Sequence, residues 1–185
     1  AQGNEFAVGS FSFCCATADL GSRVSMDSAG GFVVVWRALD FNGLGMMARR
    51  YDAGGNALSD AFRVNTNQMG HQYDGAVSVN GSGEFVVTWH GNGAGDADGI
   101  FARRFSPSGD PLGSEFRVNT TTVNAQTRPS VALDSGGNFV VAWTSYGQDG
   151  EVNGIYAQRF VNPGASSVVV EPGVRVREVS LRNEL

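Results

Sequence analysis

Short apolar runs that end in tryptophan are the clearest pattern along this chain. They read Phe-Val-Val-Val-Trp at 32–36, Phe-Val-Val-Thr-Trp at 85–89 and Phe-Val-Val-Ala-Trp at 139–143. Because side chains alternate between the two faces of a strand, these runs are apolar on both faces. Strands of this kind are covered on both sides. We therefore predict three inner strands that anchor the core.

Two further blocks repeat with the same period. One ends in Ala-x-Arg-aromatic and lies at 45–51, 99–105 and 154–160. The other reads Phe-Arg-Val-Asn-Thr at 62–66 and 116–120, with a shortened first copy at 5–8. The tryptophans of the apolar runs are 53 and 54 residues apart. The chain is therefore built on an internal repeat of about 54 residues.

Each repeat is predicted to form four strands. Before the tryptophan run, apolar and small polar residues alternate, as in Val77-Ser78-Val79, which is typical of a half-buried strand. Turns rich in Gly, Asp and Asn separate the strands. The predicted fold is a single all-β domain, 1–185, of three four-stranded antiparallel meander sheets. The repeat units span approximately 5–58, 61–113 and 115–164.

Three such sheets have two alternative arrangements. They form either a pseudo-threefold β-prism or a row of propeller-like blades. Propellers usually have four or more blades, so a second copy would complete a six-bladed ring, and a homodimer is one alternative. Residues 165–185 leave the repeat pattern. They are predicted to form an extra hairpin around Pro172-Gly173, which closes the third sheet or reaches a partner, followed by an arm.

Charge excludes several classes of function. The chain has 13 basic and 18 acidic residues, a formal net charge of −5, and we expect no nucleic-acid partner because such binding needs a basic surface. None of the basic residues is Lys, which excludes Schiff-base catalysis by lysine. No uninterrupted apolar run approaches the roughly 20 residues of a membrane-spanning helix. We therefore predict no transmembrane segment.

The repeated motifs identify a resemblance. Gly-x-Phe-Val-Val-x-Trp, Gly-Ile-x-Ala-x-Arg-Phe and Glu-Phe-Arg-Val-Asn-Thr resemble the tandem repeats of large secreted bacterial proteins, whose blade-like β-repeats occur in long arrays. The resemblance covers about residues 5–164. It implies export and a role in adhesion or assembly, without a shared active site. An N-terminal Ala also suits a signal-peptidase product, so we expect an extracytoplasmic location, periplasmic or secreted.

The loops before the Ala-x-Arg block collect oxygen ligands. The third loop holds Asp149, Glu151 and Asn153, and the second holds Asp96 and Asp98. Alternating oxygens followed by Gly resemble the start of a calcium loop, but no Glu occupies the twelfth position. We predict no cofactor, with calcium at these five residues as the alternative to ordinary polar turns.

Arginines recur within the Ala-x-Arg block. Arg50, Arg104 and Arg159 occupy one position in all three units, which indicates a structural role beside the neighbouring Ala. The preceding position is Arg in two units and Gln in the third, so these side chains are candidate contacts to an acidic partner. With the C-terminal arm, the predicted partner-binding set is Arg49, Arg103, Arg175, Arg177, Arg182 and Leu185.

The cysteines and histidines of the sequence form no recognisable catalytic or metal-binding motif. Cys14 and Cys15 are adjacent, which leaves buried free thiols, a strained vicinal disulfide, or a link to another chain or a cofactor. His71 and His90 are the only imidazoles, and no nucleophile-elbow motif or zinc-ligand spacing accompanies them. We therefore predict that the protein is not an enzyme.

The predicted function is that of a non-catalytic extracytoplasmic β-repeat scaffold that binds other proteins. It would be an accessory or assembly subunit of a larger surface or membrane-anchored complex, docking through residues 1–17 and the C-terminal arm. The alternative is a carbohydrate-binding, lectin-like module with up to three sites. In that alternative, the equivalent rings of Tyr51, Phe105 and Phe160, or Tyr73 and Tyr146 in loops, would stack on sugars. We expect the three equivalent rings to lie in the apolar core.

Overall fold

The computed structural model describes residues 4–9, 21–40, 42–162, 166–171 and 174–180. Every regular element in these ranges is a β-strand, and the strands form three antiparallel sheets. The prediction of an all-β fold with three repeated sheets is confirmed. Within the same ranges, no helix is long and apolar enough to cross a membrane.

The strands follow one another along the chain within each sheet. The first sheet contains β1 (Arg23–Met26), β2 (Phe32–Asp40), β3 (Gly43–Tyr51) and β4 (Phe62–Arg63). The second contains β5 (Gln72–Val79), β6 (Phe85–Gly93), β7 (Asp96–Phe105) and β8 (Phe116–Arg117). The third contains β9 (Gln126–Leu133), β10 (Phe139–Tyr146), β11 (Asn153–Phe160), β12 (Ser166–Glu171) and β13 (Val174–Ser180).

The tryptophan runs form the inner strands β2, β6 and β10, as predicted. Each tryptophan lies opposite a large side chain of the next strand, in the pairs Trp36–Met47, Trp89–Phe101 and Trp143–Tyr156. In β6 all residues from Phe85 to Gly91 are buried. The second sheet is therefore covered on both faces.

The Phe-Arg-Val-Asn-Thr block belongs to a different sheet from the one that its sequence unit indicates. Phe62 and Arg63 pair backward with Ala48 and Met47, so the block ends the first sheet instead of starting the second. Phe116 and Arg117 pair with β7 in the same way. In the third sheet, β12 pairs with β11 on this side, and the predicted C-terminal hairpin extends that sheet. The sheets are thus offset by one strand from the sequence units.

The Asn of this repeated block has a structural role. Asn65 accepts the backbone N–H of Met46 at 2.8 Å and donates to the amide oxygen of Gln72 at 3.0 Å. Asn119 makes the equivalent bonds to Ile100, at 2.7 Å, and to Gln126, at 3.0 Å. Both Asn side chains are buried. Because buried polar groups need partners, this pair of bonds explains why the Asn recurs.

The three sheets pack face to face in chain order. One core lies between the first and second sheets and includes Val33, Met46, Trp89 and Phe105. A separate core lies between the second and third sheets. We name the face toward the preceding sheet the leading face and the face toward the following sheet the trailing face. In the second sheet, Trp89 is on the leading face and Ile100 on the trailing face.

This arrangement corresponds to stacked, propeller-like blades. A threefold prism would enclose one common core, whereas the described residues form two cores. The extensive contacts between sheets in these residues join β5 to the first sheet and β9 to the second. The second sheet is therefore the middle layer of a stack.

Candidate interaction surface

The trailing face of the third sheet is exposed, although the same face is buried in the other two sheets. Ile100 in the second sheet is 0 % exposed, and its equivalent Ile155 is 69 % exposed. Val86 is 1 % exposed, and its equivalent Val140 is 39 % exposed. The residue types match, so the difference arises because no further sheet among the described residues covers the third one.

A hollow of about 240 Å³ lies beside this exposed face, between the first hairpin turn of the sheet and Arg159. Its lining includes Leu133, Asp134 and Val140. The equivalent hollow on the first sheet is lined by Val33 and Arg50 and is closed from the other side by residues of the second sheet. Those closing residues are Val79, Ser82, Gly83 and Pro107. The hollow on the third sheet therefore lacks the closing residues that its equivalent on the first sheet has.

The leading face of the first sheet is uncovered over β1. Val24 and Met26 are 63 % and 62 % exposed, whereas their equivalents Val77 and Val79 pack against the core between the first two sheets. A polar outer face is the usual device that keeps the end of a repeat stack soluble. This stack instead has apolar side chains at both ends.

Residues 4–9 cover the other half of that leading face. The Phe6 ring lies 5.4 Å from the Tyr51 ring, and the carbonyl of Val8 accepts a hydrogen bond from Arg49 at 3.2 Å. Phe62 and Phe116 make the same ring contacts with Phe105 and Phe160 of the following sheet. The shortened first copy of the block thus packs as its other copies do, which gives part of the N-terminal segment a structural role that the sequence did not reveal.

No protein-family model matches the chain, and no curated protein matches it either.

Two of the arginines predicted to bind a partner are engaged within the chain: Arg103 joins two sheets, and Arg49 joins residues 4–9 to the first sheet. Arg103 donates to the carbonyl of Val64 at 2.9 Å and lies over the Phe105 ring. Arg49 donates to Val8 and to the carbonyl of Ser59. Each guanidinium bonds a Phe-Arg-Val-Asn-Thr block, or its shortened first copy, to the sheet that follows. Many of the N–H donors are therefore already used within the chain.

The other predicted partner-binding residues are only partly described. Arg175 and Arg177 are on β13, the outer strand of the third sheet. Arg182, Leu185, Cys14 and Cys15 lie outside the described residues.

Arg50, the first of the recurring arginines, contacts the following unit. It donates to the carbonyl of Ser108, in the turn after β7, at 2.7 Å. Burial lowers the pKa of Arg50, and the nearby Asp110 carboxylate opposes that effect. This contact agrees with the predicted structural role. Arg159 is the equivalent side chain at the exposed end of the stack.

The candidate calcium ligands lie at hairpin ends, with Asp96 and Asp98 already on strand β7. One oxygen of Asp96 accepts the N–H of Asp98 at 3.1 Å, and the other accepts the Asn119 amide at 2.8 Å. Asp149 accepts the N–H of Glu151 at 3.2 Å, and Asn153 starts β11. Across the part of the chain that the structure describes, no three His, Cys, Asp or Glu side chains form a metal-binding group.

The two histidines flank Tyr73 at the strand ends of the second sheet, with ring centroids 5.5 Å and 5.3 Å away. The ring nitrogen Nδ1 of His71 accepts the Leu44 N–H from the first sheet. Burial lowers the pKa of His90, while the carboxylates of Asp74, 3.5 Å away, and Asp98 raise it. The His71 bond thus joins the first and second sheets, whereas these contacts of His90 lie within the second sheet.

The three equivalent rings, Tyr51, Phe105 and Phe160, are core residues, as expected. Their exposed fractions are only a few per cent, and each ring stacks on the first Phe of its tryptophan run. The pairs are Phe32–Tyr51, Phe85–Phe105 and Phe139–Phe160, with centroids 4.7–4.9 Å apart. These rings have no free face for a sugar.

Sequence reasoning missed the exposed trailing face because Ile155 and Val140 look like ordinary core residues of a repeat. The available signal was that they lie in the last of the three repeats in this sequence.

Proposed function

We propose that this protein is a non-catalytic extracytoplasmic scaffold that binds other proteins as an accessory or assembly subunit of a larger complex. The observation that carries the proposal is the uncovered trailing face of the third sheet. Ile155, at 69 % exposure, stands where the second sheet buries Ile100 completely. Exposed apolar patches of this kind mark interaction sites in soluble proteins.

The repeated polar residues support a scaffold. Asn65, Asn119 and Arg103 are engaged in bonds that build the stack, and His71 accepts a hydrogen bond from the first sheet. A rigid stack presents its end face in a fixed shape, which limits the entropy lost on binding. The extracytoplasmic location is supported by the resemblance of the repeats to secreted bacterial arrays.

The test is affinity capture of the tagged full chain from its native host, followed by intact-mass measurement of the captured assembly. We expect additional polypeptides to travel with the wild-type chain and to be lost from Ile155→Arg. Val152→Arg is the matched control, because Val152 is 65 % exposed in the turn before β11 and is absent from the trailing face. Equal capture by Ile155→Arg and the wild type would contradict the proposed surface, and recovery from the cytosolic fraction would contradict the location.

A further inference from the structure

We propose that the trailing face of the third sheet binds the leading face of the first sheet in a second copy of this chain. The inference rests on the proposed function, because it names a partner for the same surface. Two copies would then join head to tail, so that the stack continues from one chain into the next.

The chain contains two examples of the proposed contact. The trailing face of the first sheet meets the leading face of the second, and the second meets the third in the same way. A hydrogen bond from a backbone N–H to a serine hydroxyl recurs at both contacts. The Ser25 hydroxyl accepts the N–H of Val79 at 3.1 Å, and the Ser78 hydroxyl accepts the N–H of Leu133 at 3.0 Å. Sheet stacking in this register is therefore an interface that the molecule already uses twice.

The two exposed ends carry the two halves of that interface. On the trailing side, Ile155 and Val140 are exposed and correspond to the buried Ile100 and Val86. On the leading side, Val24 and Met26 are exposed and correspond to Val77 and Val79, which pack between sheets. Each end is uncovered at positions that the internal contacts cover.

The N-terminal segment covers only part of the leading face. Val8 receives the Arg49 hydrogen bond just as Val64 receives that of Arg103, so residues 4–9 occupy the place of the edge segment of a preceding sheet. In the third sheet β12 already holds that edge. Residues 4–9 of the second copy must therefore move aside when the copies join, whereas β1 is open beside them.

A polar contact between the first two sheets also has equivalent residues at the two ends of the stack. Arg50 donates to Ser108 in the turn after β7, and the equivalent turn after β3 holds Gly54. We expect Arg159 to donate to the carbonyl of Gly54 in the second copy. One contact is missing, because Ala132 stands where Ser25 and Ser78 provide their hydroxyls.

The missing hydroxyl leaves one backbone N–H of the second copy without its usual acceptor. A joint between copies should therefore be weaker than the joints within a chain. We expect a reversible, concentration-dependent association. Because the two faces differ, the contact is heterologous and produces either a closed ring or a longer row.

The test is sedimentation velocity on the full chain from micromolar to near-millimolar concentration. We expect the wild type and Val152→Arg to associate as concentration rises. Ile155→Arg and Met26→Arg, each at an exposed position, should weaken association at least about tenfold by placing a charge in the apolar contact. Circular dichroism would verify that each variant is folded.

Mixing the two defective variants decides the geometry. Ile155→Arg keeps an intact leading face and Met26→Arg keeps an intact trailing face, so the mixture should form a dimer with one joint and nothing larger. A contact between two leading faces or between two trailing faces would not join one variant to the other. A wild type that stays monomeric at every concentration, or a mixture that stays monomeric, would overturn the inference.

Failure of this inference is distinguishable from failure of the proposed function. If the purified chain is monomeric but Ile155→Arg still releases a different polypeptide during capture, the scaffold function stands and the second copy is the wrong partner. If neither association nor capture depends on Ile155, both proposals fail.

Discussion

The hydroxyl of Ser78 accepts the backbone N–H of Leu133 across the gap between two sheets, at 3.0 Å. Ser25 does the same for Val79, which is 54 residues farther along the chain. The bond joins the trailing face of one sheet to the strand that opens the next. It therefore sets the register of one sheet on another, and side-chain packing alone would do so less strictly.

Ser78→Ala should destabilise the protein by about 1–3 kcal/mol, because the N–H of Leu133 loses its acceptor at a partly buried position. The measurement is the free energy of unfolding from urea denaturation. Ser114→Ala, at an exposed position between strands, is the control and should change little. Equal midpoints for Ser78→Ala and the control would show that the hydroxyl has no role in stacking.

Trp89→Ala should cost about 3–5 kcal/mol, because it removes the largest side chain that is fully buried between the first and second sheets. Guanidinium denaturation followed by far-ultraviolet circular dichroism would measure the loss. Val152→Ala, at an exposed turn position, serves as the reference. A Trp89→Ala midpoint that matches the reference would mean that this core is assigned to the wrong residues.

Arg103→Met should lower stability by about 1–3 kcal/mol, because Met keeps an apolar stem of similar length but leaves the Val64 carbonyl without its donor. Arg23→Met is the matched control, since the Arg23 guanidinium donates to the carbonyl of the adjacent Ser22 at an exposed site. Thermal unfolding of both variants gives the comparison. A loss as large in Arg23→Met would assign the effect to charge instead of to the inter-sheet bond.

Asp134 should make the protein sensitive to acid. The Asn138 side-chain amide, joined by the backbone N–H groups of Asn138 and Gly136 and by the charge of Arg159, lowers the pKa of Asp134 below its ordinary value of 3.8. A lowered folded-state pKa stabilises the protein above the unfolded-state pKa, and that stabilisation is lost as the pH falls through the folded-state value. The contribution is therefore present at neutral pH and lost below about pH 4.

Asp134→Asn removes the titration but keeps an amide acceptor, as Asn80 does in the equivalent turn of the second unit. We expect the melting temperature of this variant to fall less than that of the wild type between about pH 5 and about pH 2. Asp134→Ala should lower the melting temperature at both pH values, because two turn N–H groups lose their acceptor. Parallel acid profiles for the wild type and Asp134→Asn would refute the assignment.

Much of the fold was accessible from local pattern. Apolar and polar residues alternate around Val77, and the run that ends in Trp89 is apolar on both faces. Both patterns identify strands directly, because successive side chains of a strand point to opposite faces of the sheet. The repeat then transfers each assignment to the other units. The prediction of inner tryptophan strands followed from these two facts.

The offset of the edge strands was not accessible in the same way. Self-alignment gives the length of a repeat but not the point at which one folded sheet ends and the next begins. Phe62 bonds to the sheet before it and packs against Phe105 of the sheet after it, and both are long-range relationships. The exposure of Ile155 is indicated in the sequence only by its place in the last of the three repeats, because it depends on whether another sheet packs against the third one.

The double attachment of Phe62 has a consequence for how such a chain can lengthen by gene duplication. A duplicated segment of about 54 residues would carry one Phe-Arg-Val-Asn-Thr block followed by three strands. The block would complete the sheet before it, and the block of the next segment would complete the sheet that the three strands begin. Every new boundary would reuse contacts that the old boundaries already contain. A row of this kind can gain or lose a unit by recombination without any junction being redesigned, and selection on copy number can therefore act separately from selection on the individual blade.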